Sequence, residues 1–181
     1  MTSQYTLSKE LRRLHQQLGI DPEFVRSCKM PMCREPATLV ETEPDCYGRI
    51  QRLTPEAFRA WSLMKQAAAN DRVVLHLVSA YRGYSYQSGL IRRKLDAGQD
   101  LQSILKVNAM PGFSEHHTGR AIDIGTGDCP PLATEFENTA ACDWLVRYAI
   151  KYQFSMSYPR QNSLGINFEP WHWCFKEAGV S

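Results

Sequence analysis

Two short polar segments, far apart in the chain, constrain the fold most, because their side chains can act together only if the fold brings them together. The first, at residues 114–123, reads SEHHTGRAID, and the second, at residues 169–173, reads EPWHW. A catalytic zinc site takes about three nitrogen or oxygen ligands and leaves one position open for water. We therefore predict that a histidine of the first segment binds one zinc ion together with Asp123 and His172. Glu169 is the predicted general base beside that water.

The spacing within the first segment differs from the helical His-Glu-x-x-His zinc motif. Gly119 lies between the histidines and Asp123 and suggests a tight turn or a close approach of the backbone. Spacing alone does not choose between His116 and His117 as the ligand. A lone His-His pair would favour surface or hydrogen-bonded histidines, but the added carboxylates and His172 favour a metal site.

The first segment also resembles a known family signature. Its pattern Ser114-x-His116-x-x-Gly119-x-Ala121-x-Asp123 is similar to that of the VanY-type D-alanyl-D-alanine carboxypeptidases. These enzymes belong to a wider group of zinc proteins that includes lysostaphin-type enzymes and the hedgehog domain. The resemblance covers roughly residues 50–175, and its further matches are Glu169-Pro-Trp-His172, Ser79-Ala-Tyr-Arg82 followed by Gln87, Phe154 and Ser157-Tyr158-Pro159.

The resemblance implies that His116, rather than His117, binds the zinc ion, and that Arg82 holds the terminal carboxylate of the substrate. It implies a zinc metallocarboxypeptidase that removes the C-terminal D-alanine from peptidoglycan stem peptides. Ser79 and Gln87 are expected to help hold the substrate end.

Ser114 is expected either to hydrogen-bond the substrate or to support His116. The implied fold is an α+β domain, in which helices flank a small, mostly antiparallel sheet and the single zinc site lies on the sheet face.

Length and composition set wider limits. A chain of 181 residues is expected to form one domain, with an N-terminal helix and irregular extension at residues 1–49 and a catalytic core at residues 50–175. The formal net charge of +2 gives no electrostatic case for binding nucleic acid. No apolar run approaches the ~18 residues that a membrane span requires.

Residues 1–20 contain several charges and no apolar stretch typical of a secretory signal, so we expect a cytoplasmic protein. The six cysteines are then expected to be reduced thiols.

Periodicity and capping residues predict the elements. Helices are predicted at residues 5–18, from Thr54 to Asn70, at 87–97, from Asp100 to Asn108 and at 139–152. Strands are predicted at residues 73–80, 121–124, 154–157 and 167–175, and residues 21–47 are expected to be irregular with a short strand at 37–41. In a regular strand Glu169 and His172 would face opposite sides, so we predict a bend or bulge between them.

Three other functions fit parts of the sequence. An endopeptidase would not need Arg82. A non-catalytic zinc-binding module is disfavoured because both Glu169 and Arg82 are present. A structural zinc site would close its fourth position with a further ligand, and Cys174 or His117 would be the candidates.

The motifs do not separate two substrates that share a terminal D-alanine: a pentapeptide with a D-Ala–D-Ala bond, and a tetrapeptide with a diamino acid before D-alanine. The expected cytoplasmic location favours an L,D-carboxypeptidase acting on recycled tetrapeptides. Arg160, Gln161 and Asn162, in the loop at residues 158–166, are predicted to meet the charged end of the diamino acid.

Overall fold

The structure is a computed structural model that describes residues 6–177. Six α-helices and six β-strands follow one another along this part of the chain. They are α1 (Lys9–Leu18), α2 (Pro22–Ser27), β1 (Val40–Pro44), β2 (Ile50–Leu53), α3 (Pro55–Asn70), β3 (His76–Ser79), α4 (Tyr84–Asp96), α5 (Leu101–Leu105), β4 (Ala121–Gly125), α6 (Ala140–Tyr148), β5 (Phe154–Met156) and β6 (His172–Phe175). Short 3-10 helices lie at Glu115–Thr118, Thr134–Asn138 and Ala149–Tyr152.

The main sheet has four strands in the order β3-β4-β6-β5, and every neighbouring pair is antiparallel. A separate antiparallel pair is formed by β1 and β2. This α+β architecture, with small antiparallel sheets flanked by helices, confirms the predicted fold class. The central strand β4 is buried along its whole length, and its Ile122 and Ile124 belong to the main hydrophobic core.

Capping residues begin the helices where the sequence predicts. The Thr54 side chain accepts a hydrogen bond from the backbone N–H of Ala57, and Pro55 takes the first position of α3. Asp100 caps α5 in the same way through the N–H of Ser103. The caps satisfy N–H groups that have no partner within the helix, and so they define where each helix starts.

Other boundaries differ from the prediction. The region expected to be irregular contains the helix α2, begun by an Asp21 cap and Pro22, and its short strand, predicted at 37–41, lies at Val40–Pro44 as β1. β2 was not predicted. β3 and β6 are shorter than predicted, α4 begins one turn earlier at Tyr84, and α5 ends at Leu105. The predicted first helix begins at Lys9 after a Ser8 cap, and Tyr5 lies outside the described residues.

The buried residues form two hydrophobic cores. The larger one joins the main sheet to α3 and α6, and it includes Trp61, Leu77 and Phe154. The second joins the N-terminal helices to α4 and α5, and it includes Leu18, Ile91 and Ile104. None of the helices in the described range is long and apolar enough to cross a membrane.

Candidate zinc site

The first predicted segment forms a tight turn that leads directly into β4. Glu115–Thr118 is a short 3-10 helix, and Gly119 ends it with a left-handed backbone at φ +64°. A Cβ atom at Gly119 would lie 2.7 Å from Cδ2 of Leu39, closer than such atoms approach in proteins. The φ angle favours glycine, and the contact with Leu39 leaves little room for a side chain here, as the sequence suggested. The turn places His116 at one end and Asp123 on the strand.

The sheet register brings the two segments together. Asp123 on β4 lies directly opposite His172, the first residue of β6. Directly opposed residues of antiparallel strands project to the same side of the sheet. Residues 170–171 form a turn before β6, and the N–H of His172 donates to the carbonyl of Glu169 at 3.1 Å. This turn confirms the predicted bend and lets Glu169 and His172 share one side.

The three predicted ligands form one buried cluster. A ligand atom from each of His116, Asp123 and His172 lies within 4.8 Å of the others. Nε2 of His116 is 3.3 Å from Oδ2 of Asp123, and Nδ1 of His172 is 3.0 Å from Oδ1 of the same carboxylate. Ligand atoms about 2.0–2.1 Å from a tetrahedral zinc ion lie roughly 3.3 Å from each other, so these separations fit a shared ion.

The hydrogen bonds around the cluster orient the rings for a metal. Nδ1 of His116 lies 2.6 Å from the carbonyl of Ala80, to which it donates, so Nε2 is left as the ligand atom. That Nε2 is buried and has no hydrogen-bond partner among the described residues, although Asp123 is near. A buried nitrogen without a partner is costly, and a bound cation would satisfy it. The residues present therefore fit a zinc ion.

His172 is oriented from its other side by Glu115. Its Nε2 is 3.0 Å from Oε2 of Glu115, whose Oε1 accepts a hydrogen bond from Lys176 at 3.0 Å. This contact leaves Nδ1 of His172 to face Asp123 and the metal position. Burial alone would lower the pKa of His172, but hydrogen bonds and charge from Asp123 and Glu115 raise it to about 10 when no metal is bound. Zinc must therefore displace a proton from this ring.

The cluster does not include the two side chains that could have closed a structural site. Neither Cys174 nor His117 has an atom in it among the residues described. Nδ1 of His117 instead donates to the carbonyl of Arg82 at 2.5 Å, and its ring packs edge-on against Tyr84. Three ligands and an open position are typical of catalytic zinc sites.

Glu169 lies close to the cluster, with Oε2 4.0 Å from Nδ1 of His172. Burial raises the pKa of Glu169 to about 7; Asp123 acts in the same direction, while His172 and Arg82 oppose it. A carboxylate with such a pKa can both accept and return a proton near neutral pH.

A cleft of about 270 Å³ opens over the cluster. Arg82, Ser114 and Glu169 line it together with the three ligands. The buried Nε of Arg82 has no hydrogen-bond partner, and no carboxylate forms an ion pair with this guanidinium among the described residues. The cleft therefore offers a free cation beside the metal position, as the prediction of a carboxylate clamp requires.

Two predicted substrate residues lie outside this cleft. Ser79 is the β3 partner of Asp123, but it lines a neighbouring surface depression that also contains Arg52, Tyr81 and Arg82. Gln87 is fully buried, and its Nε2 donates to the carbonyl of Ala109 at 2.8 Å. The placement of Ser79 and Gln87 favours support of the cleft wall over contact with a substrate in it.

In the loop predicted to meet the diamino acid, the side chains of Arg160 and Asn162 bind other residues of the protein. Arg160 forms a two-fold ion pair with Glu137 at 2.6 and 2.7 Å and stacks over Phe168. The side chain of Asn162 donates to the carbonyls of Pro159 and Ile166 within the loop. Neither Arg160 nor Asn162 lines the cleft; Tyr158 and Ile166, at the two ends of the loop, do.

Sequence reasoning missed three polar residues of the site. Glu115 is adjacent to a ligand, and only the fold shows that it reaches His172. Lys94 follows the exposed Arg92 and Arg93 in α4, and no local pattern sets it apart from them. Lys94 lines the cleft together with Asn108.

Comparisons with known proteins decide the family. A family model described as VanY, D-alanyl-D-alanine carboxypeptidase, matches residues 50–178. The chain belongs to this VanY family. The resemblance drawn from the sequence motifs is thereby confirmed.

Relatives of known sequence agree with the VanY assignment. The chain is 32% identical over 133 residues to a bifunctional D-Ala-D-Ala dipeptidase and carboxypeptidase, VanXYC of Enterococcus gallinarum, with 71% of this chain and 68% of the relative covered. It is also 32% identical over 150 residues to the putative carboxypeptidase YodJ of Bacillus subtilis, with 79% of this chain and 55% of that protein covered.

Solved structures agree with the VanY assignment, and one of them contains zinc. The LdcB LD-carboxypeptidase is 30% identical to this chain with a TM-score of 0.70, and the match covers 80% of this chain and 71% of LdcB. A zinc-bound mutant of the D,D-pentapeptidase VanY has the same fold at 22% identity and a TM-score of 0.60, covering 80% of this chain and 85% of that one. The chain is thus a zinc metallopeptidase of the carboxypeptidase type.

Proposed function

We propose that the protein removes the C-terminal D-alanine from peptidoglycan stem peptides, with one zinc ion held by His116, Asp123 and His172. One observation carries this proposal: the buried His-Asp-His cluster shares a single cleft with Glu169 and with Arg82, which has no ion-pair partner within residues 6–177. The relatives named for D-Ala-D-Ala and LD-carboxypeptidase activity support the substrate class.

Each residue has a distinct part in the proposed reaction. When bound, zinc polarises the scissile carbonyl and lowers the pKa of the attacking water. Glu169 accepts the proton of that water and later returns it to the departing amine. The guanidinium of Arg82 binds the terminal carboxylate in a two-fold geometry and thereby places the last peptide bond beside the metal position.

We favour an L,D-carboxypeptidase that converts tetrapeptides into tripeptides. The likeness to the LdcB LD-carboxypeptidase, at 30% identity and a TM-score of 0.70, supports this choice. The competing D,D activity on pentapeptides is supported by the 32% identity to VanXYC. Arg82 serves either substrate, since both end in the same D-alanine carboxylate.

The deciding experiment compares kcat/KM of the zinc-loaded enzyme on a stem tetrapeptide and a stem pentapeptide, with release of D-alanine followed by mass spectrometry. We expect the tetrapeptide to be preferred. A tenfold preference for the pentapeptide, about 1.4 kcal/mol in transition-state binding, would replace the L,D assignment by the D,D one. Loss of more than the last residue would indicate an endopeptidase.

The proposed setting is the recycling of wall peptides in the cytoplasm. All six cysteines carry free thiols, a state that suits a reducing compartment. Cells that lack the enzyme should then accumulate soluble tetrapeptides at the expense of tripeptides. An unchanged intracellular pool would contradict this setting without affecting the assigned reaction.

A further inference from the structure

A second cation faces the cleft besides Arg82. Lys94 lies on α4, seven residues after Gln87 and three residues after Ile91. At this spacing the three side chains share one stripe along the helix. Gln87 and Ile91 are fully buried, and Lys94, at the end of the stripe, is half-buried and lines the cleft. The neighbouring Arg93 lies on the exposed face of the same helix. The helix therefore directs Lys94, and not Arg93, toward the site.

Asn108 holds Lys94 in this position. The ammonium of Lys94 donates to Oδ1 of Asn108 at 2.5 Å. Because a lysine can only donate, the amide oxygen must face it, and the NH₂ group of Asn108 is left to donate elsewhere. That NH₂ group has no hydrogen-bond partner within residues 6–177, and Asn108 also lines the cleft. Lys94 and Asn108 together present a positive charge and an amide donor.

Lys94 has no ion-pair partner among the described residues. Burial lowers its pKa, and the charge of Arg82 lowers it further, while Glu169 acts in the opposite direction. Arg82 and Lys94 line the same cleft as Asp123 and Glu169, but neither cation forms an ion pair with a carboxylate of the described residues, so each is available to an anionic group of a ligand. The cleft is thus suited to a ligand that carries more than one negative charge.

We propose that Lys94 and Asn108 form a subsite for a second carboxylate of the substrate, carried by the side chain of the residue before the terminal D-alanine. This inference rests on the proposed function and specifies its substrate class. It predicts preference for stem peptides whose diamino acid is diaminopimelate, which has a carboxyl group at its side-chain end, over peptides that contain lysine at that place.

The stem peptide has one other source of such a charge, the free α-carboxylate of its γ-linked glutamate. Both sources would offer a carboxylate to the same donors, but the diamino acid lies next to the scissile bond and the glutamate one residue further away. The experiment therefore uses four tetrapeptides: the diaminopimelate form, the same peptide amidated at the diaminopimelate side chain, the same peptide amidated at glutamate, and the lysine form.

The four peptides are tested with the zinc-loaded parent protein, with Lys94→Met and with Arg93→Met. The first substitution removes the charge in the cleft and keeps an apolar stem, and the second removes a charge from the exposed face as a control. In the parent, amidation at diaminopimelate should lower kcat/KM by about tenfold or more, the effect expected for loss of a hydrogen bond to a charged group. Lys94→Met should cleave the diaminopimelate peptide and its side-chain amide with similar kcat/KM, whereas Arg93→Met should keep the difference seen in the parent.

A binding measurement separates this inference from the proposed reaction. In the Glu169→Gln background, calorimetry should show tighter binding of the diaminopimelate peptide than of its side-chain amide, and Lys94→Met should equalise the two. If the parent cleaves none of the peptides, the proposed function fails, and the binding ratio still decides the subsite. The subsite is wrong if Lys94→Met still prefers the diaminopimelate peptide over its side-chain amide. It is also wrong if Lys94→Met weakens the binding of all four peptides equally. Sensitivity to amidation at glutamate alone would overturn the assignment to the diamino acid.

Discussion

Gly119 joins the turn that carries His116 to the strand that carries Asp123, so its replacement tests whether that backbone geometry holds the site together. Alanine at φ +64° incurs the left-handed strain of about 1–2 kcal/mol. Its Cβ would also lie 2.7 Å from the side chain of Leu39 and 3.3 Å from the backbone N of Thr54. Overpacking of this kind adds about 1–3 kcal/mol, since the backbone atom cannot move aside as a side chain can.

We therefore expect Gly119→Ala to lower the free energy of unfolding by about 2–5 kcal/mol. Gly98→Ala is the matched control, because Gly98 has φ +84° and no atom within 4 Å of the Cβ position. It should show the left-handed strain alone, about 1–2 kcal/mol. Urea unfolding of the metal-free proteins measures both values.

Zinc affinity gives the functional readout of the same pair of variants. A shift of the turn would displace His116 relative to Asp123, so competition with a chromophoric chelator should show weaker zinc binding for Gly119→Ala and unchanged binding for Gly98→Ala. Equal stability losses in the two variants, with equal zinc affinities, would refute the close approach at Gly119.

Other substitutions test the site directly. His172→Ala should empty the zinc site, whereas His117→Ala should keep its metal; zinc content after dialysis measures both, and the reverse pattern would contradict the ligand assignment. Glu169→Gln should retain zinc and lower kcat by about 10²–10⁴-fold, and near-normal turnover would exclude its role as base. Arg82→Lys should reduce kcat/KM strongly on peptides with a free C-terminus, and equal cleavage of free and amidated peptides by the parent would exclude the clamp. Zinc binding at pH 7.5 should release a proton from His172, whose pKa is raised to about 10 without metal. The metal-free ring is protonated below its raised pKa and neutral above it. Zinc binding should therefore release a proton from His172 at every pH up to about 10. Glu115→Gln should move this limit to lower pH, as calorimetry in two buffers would show, and an unchanged limit would refute the contribution of Glu115.

The elements that local sequence governs were predicted well. Thr54 and Asp100 accept hydrogen bonds from N–H groups three residues on, so the starts of α3 and α5 depend on neighbours in the chain. The helix α2 has the same kind of signal in Asp21 and Pro22, and the density of prolines around it obscured that signal. By contrast, β2 was missed because a short strand of four residues depends on its pairing with β1 rather than on its own pattern.

The sequence by itself determined the zinc chemistry and the family, because histidine, carboxylate and glycine at fixed spacings are chemical requirements visible in the chain. It also determined the bend at Glu169, since residues three apart cannot face one side of a regular strand. Only the tertiary structure decided which distant side chains complete the site. The pairing of Glu115 with His172, and the approach of Lys94 and Asn108 to the cleft, depend on how β6, α4 and α5 pack. Such contacts join residues that are remote in sequence, and no local pattern encodes the distance between them.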